Sequence, residues 1–505
     1  MKQGPTLLVI LDGFGYNQDS TNNAIFHAKT HTIMDWFNQY PSSLLQASGP
    51  AVGLLPGMIG NSEVGHMTIG SGRILEQPAT LITHALEKNI YAHEEIFKKQ
   101  FKYIKESNKT LHFIGLLSDA GVHSLESHLL DLLKLAVSQG ITNIVVHPFL
   151  DGRDVPPQSA ALYLTRLETL LSTLGVGVIG TIHGRFYAMD RDNNWDRTKK
   201  SYTMLTELHP SEYSSWQQIL EHYYKQAIYD EFIPPLSLSR DTHIKTGDAV
   251  IFFNFREDRA RQLTHALVDE SFTKFDRTLV PIEWFVAGIQ YYPELHCSVL
   301  CSRPQINDSF ADVLEQAHKS IFSIAETEKY AHITYFLNGG REILRAKETR
   351  VLIPSLGCIT YKDCPEMSGK QITQQVIQSL ETNPADVYII NYAHADMVGH
   401  SGDFAATTKA VEYLNGYLQK LYTSAVEKLN GTVYITADHG KAEDMFYSTA
   451  QQPRTAHTTN LVPFIMIRQD LKNKHYTLPL TQLANIAPFI LEQLQLPVPK
   501  SMLKP

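Results

Sequence analysis

Short apolar runs alternate along this chain with stretches in which apolar residues recur every three or four positions. The first pattern predicts strands and the second helices. Strand-sized runs fall at 7–11, 111–117, 144–147, 176–181, 249–253, 284–287, 387–391, 433–436 and 464–467. Many are continuous rather than alternating, as in parallel strands buried on both faces. One predicted helix takes Ser124 as N-cap, places Leu125, Leu129, Leu132, Leu133 and Ala136 on one face, and stops at Gly140. The alternation of strand and helix predicts an α/β fold.

No internal repeat or low-complexity tract interrupts this pattern. At 505 residues the chain exceeds a typical domain of roughly 100–200 residues, so at least two packed units are expected. Residues 292–307 hold two prolines and mixed polarity, and a fresh helix starts near Asp308. Gln77-Pro78 is a candidate second linker. Together they predict residues 78–303 as a domain inserted into another made of 1–77 and 304–505.

Composition narrows the function. The chain carries 44 Lys+Arg against 52 Asp+Glu, a net charge of −8. That argues against a general nucleic-acid binder, which needs a basic face. Its apolar runs fall far short of the roughly 18–20 residues of a spanning helix, so no membrane association is expected. Lys2 ahead of 7–11 faintly resembles a signal peptide, but the run breaks at Asp12-Gly13. The four cysteines (Cys297, Cys301, Cys358, Cys364) form no CxxC pair. They read as reduced thiols and the protein as cytoplasmic.

Three predicted strands run into acidic or histidine residues. The 7–11 run meets Asp12, 387–391 leads to Asp396 and His400, and 433–436 leads to Asp438-His439. Ligands gather outside the carboxyl ends of parallel strands. Oxygen and imidazole ligands together suit manganese, zinc, iron or a similar divalent ion. Each pair alone reads equally as a turn or a surface pair; the threefold recurrence favours a metal site. His457, ahead of another apolar run, is a further candidate ligand. Ser62, between Gly60 and Gly65, opens a predicted helix. It is a candidate nucleophile beside phosphate-binding backbone N–H groups, and equally a helix N-cap. His66, one turn on, is a possible base but reads better as structural.

The middle of the chain holds a second cluster. Asp151-Gly152-Arg153-Asp154, Arg185, Arg191, Arg256 and Arg259 all follow predicted strands. Arginine suits bidentate grip of carboxylate and phosphate. The competing reading is surface ion pairing with Asp190, Asp192, Glu257 and Asp258.

These segments resemble the cofactor-independent (2,3-bisphosphoglycerate-independent) phosphoglycerate mutases of the alkaline phosphatase superfamily. The likeness rests on LDGFG at 11–15, NSEVGHMTIGSGR at 61–73, DAGVHS at 119–124, FLDGRDVPP at 149–157, GRFYAMDRDNNWDR at 184–197 and NFREDRARQ at 254–262. It continues through AETEKYAHITYFLNGGRE at 325–342, PEMS at 365–368, NYAHADMVGHSG at 391–402, ITADHGKAEDM at 435–445 and TAHTTNLVPF at 455–464. The resemblance implies two three-layer α/β domains, one alkaline-phosphatase-like with metals and nucleophile, the other inserted and gripping the substrate. It implies two divalent ions, usually manganese: one held by Asp396, His400 and His457, the other by Asp12, Ser62, Asp438 and His439. Substrate contacts would come from His123, Arg153, Asp154, Arg185, Arg191, Arg256, Arg259 and Lys329. Ser62 would take the phosphoryl group of phosphoglycerate, Lys329 would stabilise its charge, and Asp154 would serve as acid and base on the glycerate hydroxyls. Closure of the domains would exclude water from the phosphoserine. The implied protein is a monomeric enzyme of glycolysis and gluconeogenesis whose partner is its small substrate.

The chain departs from the family pattern at a few positions. Lys441 stands for the usual asparagine, His394-Ala395 for Asn-Pro, His183 for serine, and Asn194 for the arginine of DNRWDR. Lys441 and His394 are expected to add charge beside the metals. The rival readings are another metal-dependent phosphomonoesterase or sugar-phosphate mutase of the superfamily, and an inactive metal- or metabolite-binding relative.

Overall fold

Every residue of the strand Thr6–Leu11 is buried, as is every residue of Val387–Tyr392 and of Thr432–Thr436. Strands covered on both faces belong to the middle of a layered α/β sheet. The computed structural model describes residues 4–211, 213–239, 241–447 and 452–502. The chain divides into two compact units, Met1–Glu76 with Pro304–Pro505, and Gln77–Arg303.

The first unit is built on a seven-stranded sheet. Its order is Glu348–Ile353, Ile321–Glu326, Val387–Tyr392, Thr6–Leu11, Thr432–Thr436, Val462–Ile467, Ser42–Leu45. The first five run parallel, and Val462–Ile467 is antiparallel to its neighbours. Register fixes what the sheet delivers. Leu11 lies beside Tyr392 and Ile10 beside Thr436, so the residues after three central strands emerge at one edge. The antiparallel strand begins at that same edge, which brings the segment before Val462 to it.

The second unit has an eight-stranded sheet. Its path is Ser298–Val299, Trp284–Ala287, Ala249–Phe252, Leu111–Leu117, Ile144–Leu150, Thr181–Gly184, Leu236–Ser237, with Val178–Ile179 pairing off the Ile144–Leu150 strand. All pairs are parallel except Thr181–Gly184 with Leu236–Ser237. Buried helices such as Glu126–Ser138 and Ala160–Leu174 pack on it through leucine-rich faces.

Several expectations need correction. The strand expected at 144–147 runs on to Leu150, through Pro148. The strand expected at 176–181 is two pieces, Val178–Ile179 and Thr181–Gly184. Ser124 caps no helix: its hydroxyl donates to the Leu116 carbonyl, and the helix starts at Glu126 without a side-chain cap. The cysteines are not all reduced. The short turn Tyr361–Asp363 folds the chain back so that Cys358 and Cys364 form a disulfide, their Cα atoms 6.6 Å apart, within the normal span. Cys297 and Cys301 are free thiols. No helix among the described residues is long and apolar enough to cross a membrane.

Candidate active site

The carboxyl edge of the first sheet gathers the sequence-predicted ligands. Asp12 follows Thr6–Leu11, Lys329 lies in the turn of helix after Ile321–Glu326, and Asp396 sits in the short helix His394–Gly399 after Val387–Tyr392. Asp438 and His439 follow Thr432–Thr436, and His457 precedes the antiparallel strand. Ser62 is the first residue of the helix Ser62–Ser71, but its cap is Asn61, whose side chain accepts from the Val64 N–H. Capping is thus done by the neighbour, and the Ser62 hydroxyl is free for other contacts. It donates to Asp12 Oδ1 at 3.1 Å and lies 3.1 Å from His439 Nε2. Lys329 Nζ donates at 2.7 Å to Asp12 Oδ1, to Ser62 Oγ and to Asp396 Oδ2.

Tautomers follow from the carbonyls around the cluster. His400 Nδ1 lies 2.7 Å from the Thr455 carbonyl and His457 Nδ1 2.9 Å from the Gly60 carbonyl. A carbonyl only accepts, so each Nδ1 carries the proton and each Nε2 presents a lone pair. Those two Nε2 atoms are 3.1 Å apart, and both lie within 3.1 Å of Asp396 Oδ1. Asp396 Oδ1 and Asp438 Oδ2 are buried and make no hydrogen bond. Three acceptors converging without a proton between them fit a divalent cation. Asp396, His400 and His457 form one such set. Asp12, Asp396 and His439 form another, and Asp12 and Asp438 a third with His66. His66 has no lone pair to give: Nδ1 faces the Ser62 carbonyl at 2.8 Å, and Nε2 meets the amide of Asn391 at 3.0 Å. That leaves it a structural brace for the nucleophile's helix.

Electrostatics agree. Burial pushes the Asp12 carboxyl up, but Lys329 and His439 outweigh it and hold it well below the usual range. Burial pulls the Lys329 ammonium down, while Asp12, Asp396 and Asp438 drive it up and keep it charged. Three buried carboxylates still outnumber the cations beside them, Lys329 and a His439 that they push up to about 9 against its burial, and leave an anionic hollow suited to cations.

The second unit carries the arginines at its own strand ends. Arg185 is buried and donates to Asp151 at 2.6 Å and Asp154 at 2.5 Å. Arg153 reaches Glu231 at 3.4 Å. Arg191 and Arg256 both engage Asp258, at 2.7 and 3.2 Å, with His123 3.7 Å from the same carboxylate. Arg259 donates to the Met189 carbonyl. Burial lowers its basicity, and repulsion from Arg191, Arg185 and Arg153 lowers it further. Burial first, then Arg185, pushes His123 down to about 4. The expected surface ion pairing holds for Arg191 and Arg256 through Asp258, whereas Arg185 pairs with Asp151 and Asp154 and Arg153 with Glu231.

Two departures fall near the first cluster. His394 was expected to add charge there, and does not. It is fully buried against the Glu366 carbonyl, and burial pushes it down to about 4, so it is neutral at pH 7. Lys441 aims its ammonium at the Arg454 carbonyl, 2.9 Å away, and burial brings it down to about 8 against the pull of Asp396. Sequence reasoning missed Glu443 and Asn391. Both are fully buried polar side chains, and only their places inside the motifs at 435–445 and 391–402 hinted at them.

A parallel-sheet α/β unit with a serine and converging carboxylates and imidazoles at its carboxyl edge defines a class of metal-dependent enzymes. Comparison with known proteins narrows the class. A family model described as "BPG-independent PGAM N-terminus" matches residues 82–293. The chain is 44% identical over 504 residues to the 2,3-bisphosphoglycerate-independent phosphoglycerate mutase of Synechococcus sp. (strain JA-3-3Ab), covering 99% of this chain and 94% of that one. It is 42% identical over 500 residues to the enzyme of the same name from Legionella pneumophila (strain Lens), covering 99% and 96%. Among solved structures, Leishmania mexicana phosphoglycerate mutase at low cobalt concentration matches with a TM-score of 0.71 at 30% identity, over 99% of this chain and 97% of that one. The chain belongs to the 2,3-bisphosphoglycerate-independent phosphoglycerate mutases.

Proposed function

We propose that this protein interconverts 3-phosphoglycerate and 2-phosphoglycerate without 2,3-bisphosphoglycerate, through a phosphoserine on Ser62 and with two divalent ions, manganese foremost. The observation that carries the reading is the setting of Ser62 Oγ, 2.7 Å from Lys329 Nζ and 3.1 Å from both Asp12 Oδ1 and His439 Nε2. Two bound divalent ions would neutralise charge on the phosphate and lower the pKa of the serine hydroxyl. Asp396, His400 and His457 would hold one ion; Asp12, Ser62, Asp438 and His439 the other.

Ser62 Oγ attacks the phosphorus in line, and the ester bond to the glycerate oxygen breaks. Lys329 faces the charge that builds on the transferring group. Asp154 protonates the leaving oxygen, then takes the proton from the second hydroxyl as that hydroxyl attacks the phosphoserine. Ser62 releases its proton to solvent before the attack and takes one back from solvent once the product has left. His123, Arg153, Arg185, Arg191, Arg256 and Arg259 bind the substrate's carboxylate and phosphate.

The test is a coupled assay of 3-phosphoglycerate conversion without 2,3-bisphosphoglycerate. Activity should vanish with EDTA, return with manganese, and fall by about 10⁴-fold or more in Ser62→Ala. Turnover surviving in Ser62→Ala, or phosphate release exceeding isomerisation, would reject the phosphoserine mutase in favour of another route.

A further inference from the structure

Glu443 has no part in the chemistry above, yet it is fully buried and its carboxylate collects four donors from three separate segments. Oε2 accepts from the Gly15 N–H at 3.0 Å and the Lys441 N–H at 2.7 Å. Oε1 accepts from the Thr458 hydroxyl and from the Asn460 amide, the latter at 3.0 Å. Each segment neighbours a candidate ligand. Gly15 is in the turn after Asp12, Lys441 is in the turn after His439, and Thr458 follows His457.

The backbone is shaped around this carboxylate. A Cβ on Gly15 would stand 2.2 Å from Glu443 Cδ, and one on Gly440 would stand 2.6 Å from Oε1. A side chain at either place would displace this carboxylate. Further backbone hydrogen bonds join the same turns: Ala442 N–H to the Gly13 carbonyl at 3.1 Å, and Thr458 N–H to the Gly440 carbonyl at 3.0 Å.

We propose that Glu443 is a positioning residue for the metal ligands, a single buried carboxylate that fixes the turns carrying Asp12, His439 and His457 in one constellation. The inference rests on the reading of those residues as ligands. Groups that orient ligands from behind are commonly worth 10–100-fold in metal affinity. The isosteric Glu443→Gln is a severe test, because a glutamine turns one acceptor oxygen into a donor. Whichever way the amide is turned, it faces two donors with a third.

The experiment is calorimetric titration of the chelator-stripped full chain with manganese, alongside thermal unfolding with and without the ion. Glu443→Gln should weaken manganese binding by about 10-fold or more and shrink the upward shift in Tm that manganese gives. Thr458→Val removes one donor and keeps the shape. It should weaken binding in the same direction by a smaller factor, roughly threefold, and it serves if Glu443→Gln does not fold. A lower Tm with and without manganese, at unchanged manganese affinity in both variants, would reduce Glu443 to a packing role and overturn the proposal. Wild-type protein that binds neither manganese nor cobalt would overturn the ligand reading itself. Wild-type binding with unaltered variants overturns only the inference.

Discussion

The two clusters solve opposite problems. In the first unit, acceptors face acceptors: the His400 and His457 Nε2 lone pairs and Asp396 Oδ1 lie within 3.1 Å of one another, with no proton to reconcile them. In the second, each strongly placed cation already has an anion, Arg185 with Asp151 and Asp154, Arg191 and Arg256 with Asp258. The first arrangement sets acceptor against acceptor around the buried Asp396, with His400 exposed at its rim. The second is internally neutralised and partly exposed, with Arg191 45% accessible. Such pairs exchange partners at modest cost when a substrate anion arrives. On the proposed function, the first region would hold resident ions and the second would take the substrate anion in each turnover.

Lys329 gives the sharpest test of the first half of that contrast. Its ammonium lies 2.7 Å from Ser62 Oγ, nearer than Asp12 or His439. Lys329→Met should cut kcat by about 10²–10³-fold, the scale of one lost oxyanion donor, with KM for 3-phosphoglycerate changed far less. Steady-state kinetics at saturating manganese decide it. A loss confined to KM would mean that Lys329 belongs with the arginines as a binding group.

Within the second cluster two arginines should part company. Arg185→Ala leaves the buried Asp151 without its cation, and breaking a buried pair costs about 3–5 kcal/mol. Arg191→Ala removes a half-exposed pair, which is worth about 1 kcal/mol or less, so its effect should appear as a KM raised roughly tenfold. Thermal unfolding and kinetics on both variants check the split. If Arg191→Ala destabilised as much as Arg185→Ala, the exchangeable character given to the Asp258 pairs would be wrong.

What the sequence disclosed follows the same divide. The edge of candidate ligands was legible because Asp12, Asp438 and His439 closely follow continuous apolar runs and Asp396 and His400 belong to the short helix after another, and parallel register turns that adjacency into proximity. The strands Ile321–Glu326 and Glu348–Ile353 escaped notice. The first mixes Ser323 and Glu326 into its apolar residues, and the second is an edge strand whose exposure alternates. Lys329 therefore entered only through the family resemblance, since its strand was unseen. Ion pairing among the arginines was legible as a list of neighbours, but not the choice of Asp258 as the common partner, which depends on how three loops meet. Glu443 gave no signal of its own: a glutamate two residues from a lysine reads as surface until the backbone closes over it.

A further departure from the family lies in the second unit, two residues before Arg185. In the second sheet a buried chain of polar groups runs from Asp248 through His112 and His147 to Thr181 and His183, with separations of 3.2, 2.9, 2.7 and 2.7 Å. Asp248 accepts from His112 Nε2–H, so His112 accepts from His147, His147 accepts from the Thr181 hydroxyl, and His183 donates to Thr181. Every ring is then neutral, and His183 Nδ1 is left without a partner. Burial pushes His183 down to about 3, whereas in the unfolded chain it takes a proton near pH 6.5. Between those values the unfolded state binds more protons, so this contribution to stability is complete above about pH 6.5 and declines as pH falls. At pH 5 a histidine so depressed costs about 2 kcal/mol relative to neutral pH. His183→Ser, which installs the family's usual residue, removes that group. Its loss of stability between pH 7.5 and pH 5 should be smaller than wild type's by about that amount. Urea unfolding followed by tryptophan fluorescence reads it directly, because Trp195, Trp216 and Trp284 all lie in this unit. Equal losses in the two proteins would place the acid sensitivity elsewhere, with His147, which burial and the neighbouring His112 and His183 also hold well below its usual range, as the next residue to replace.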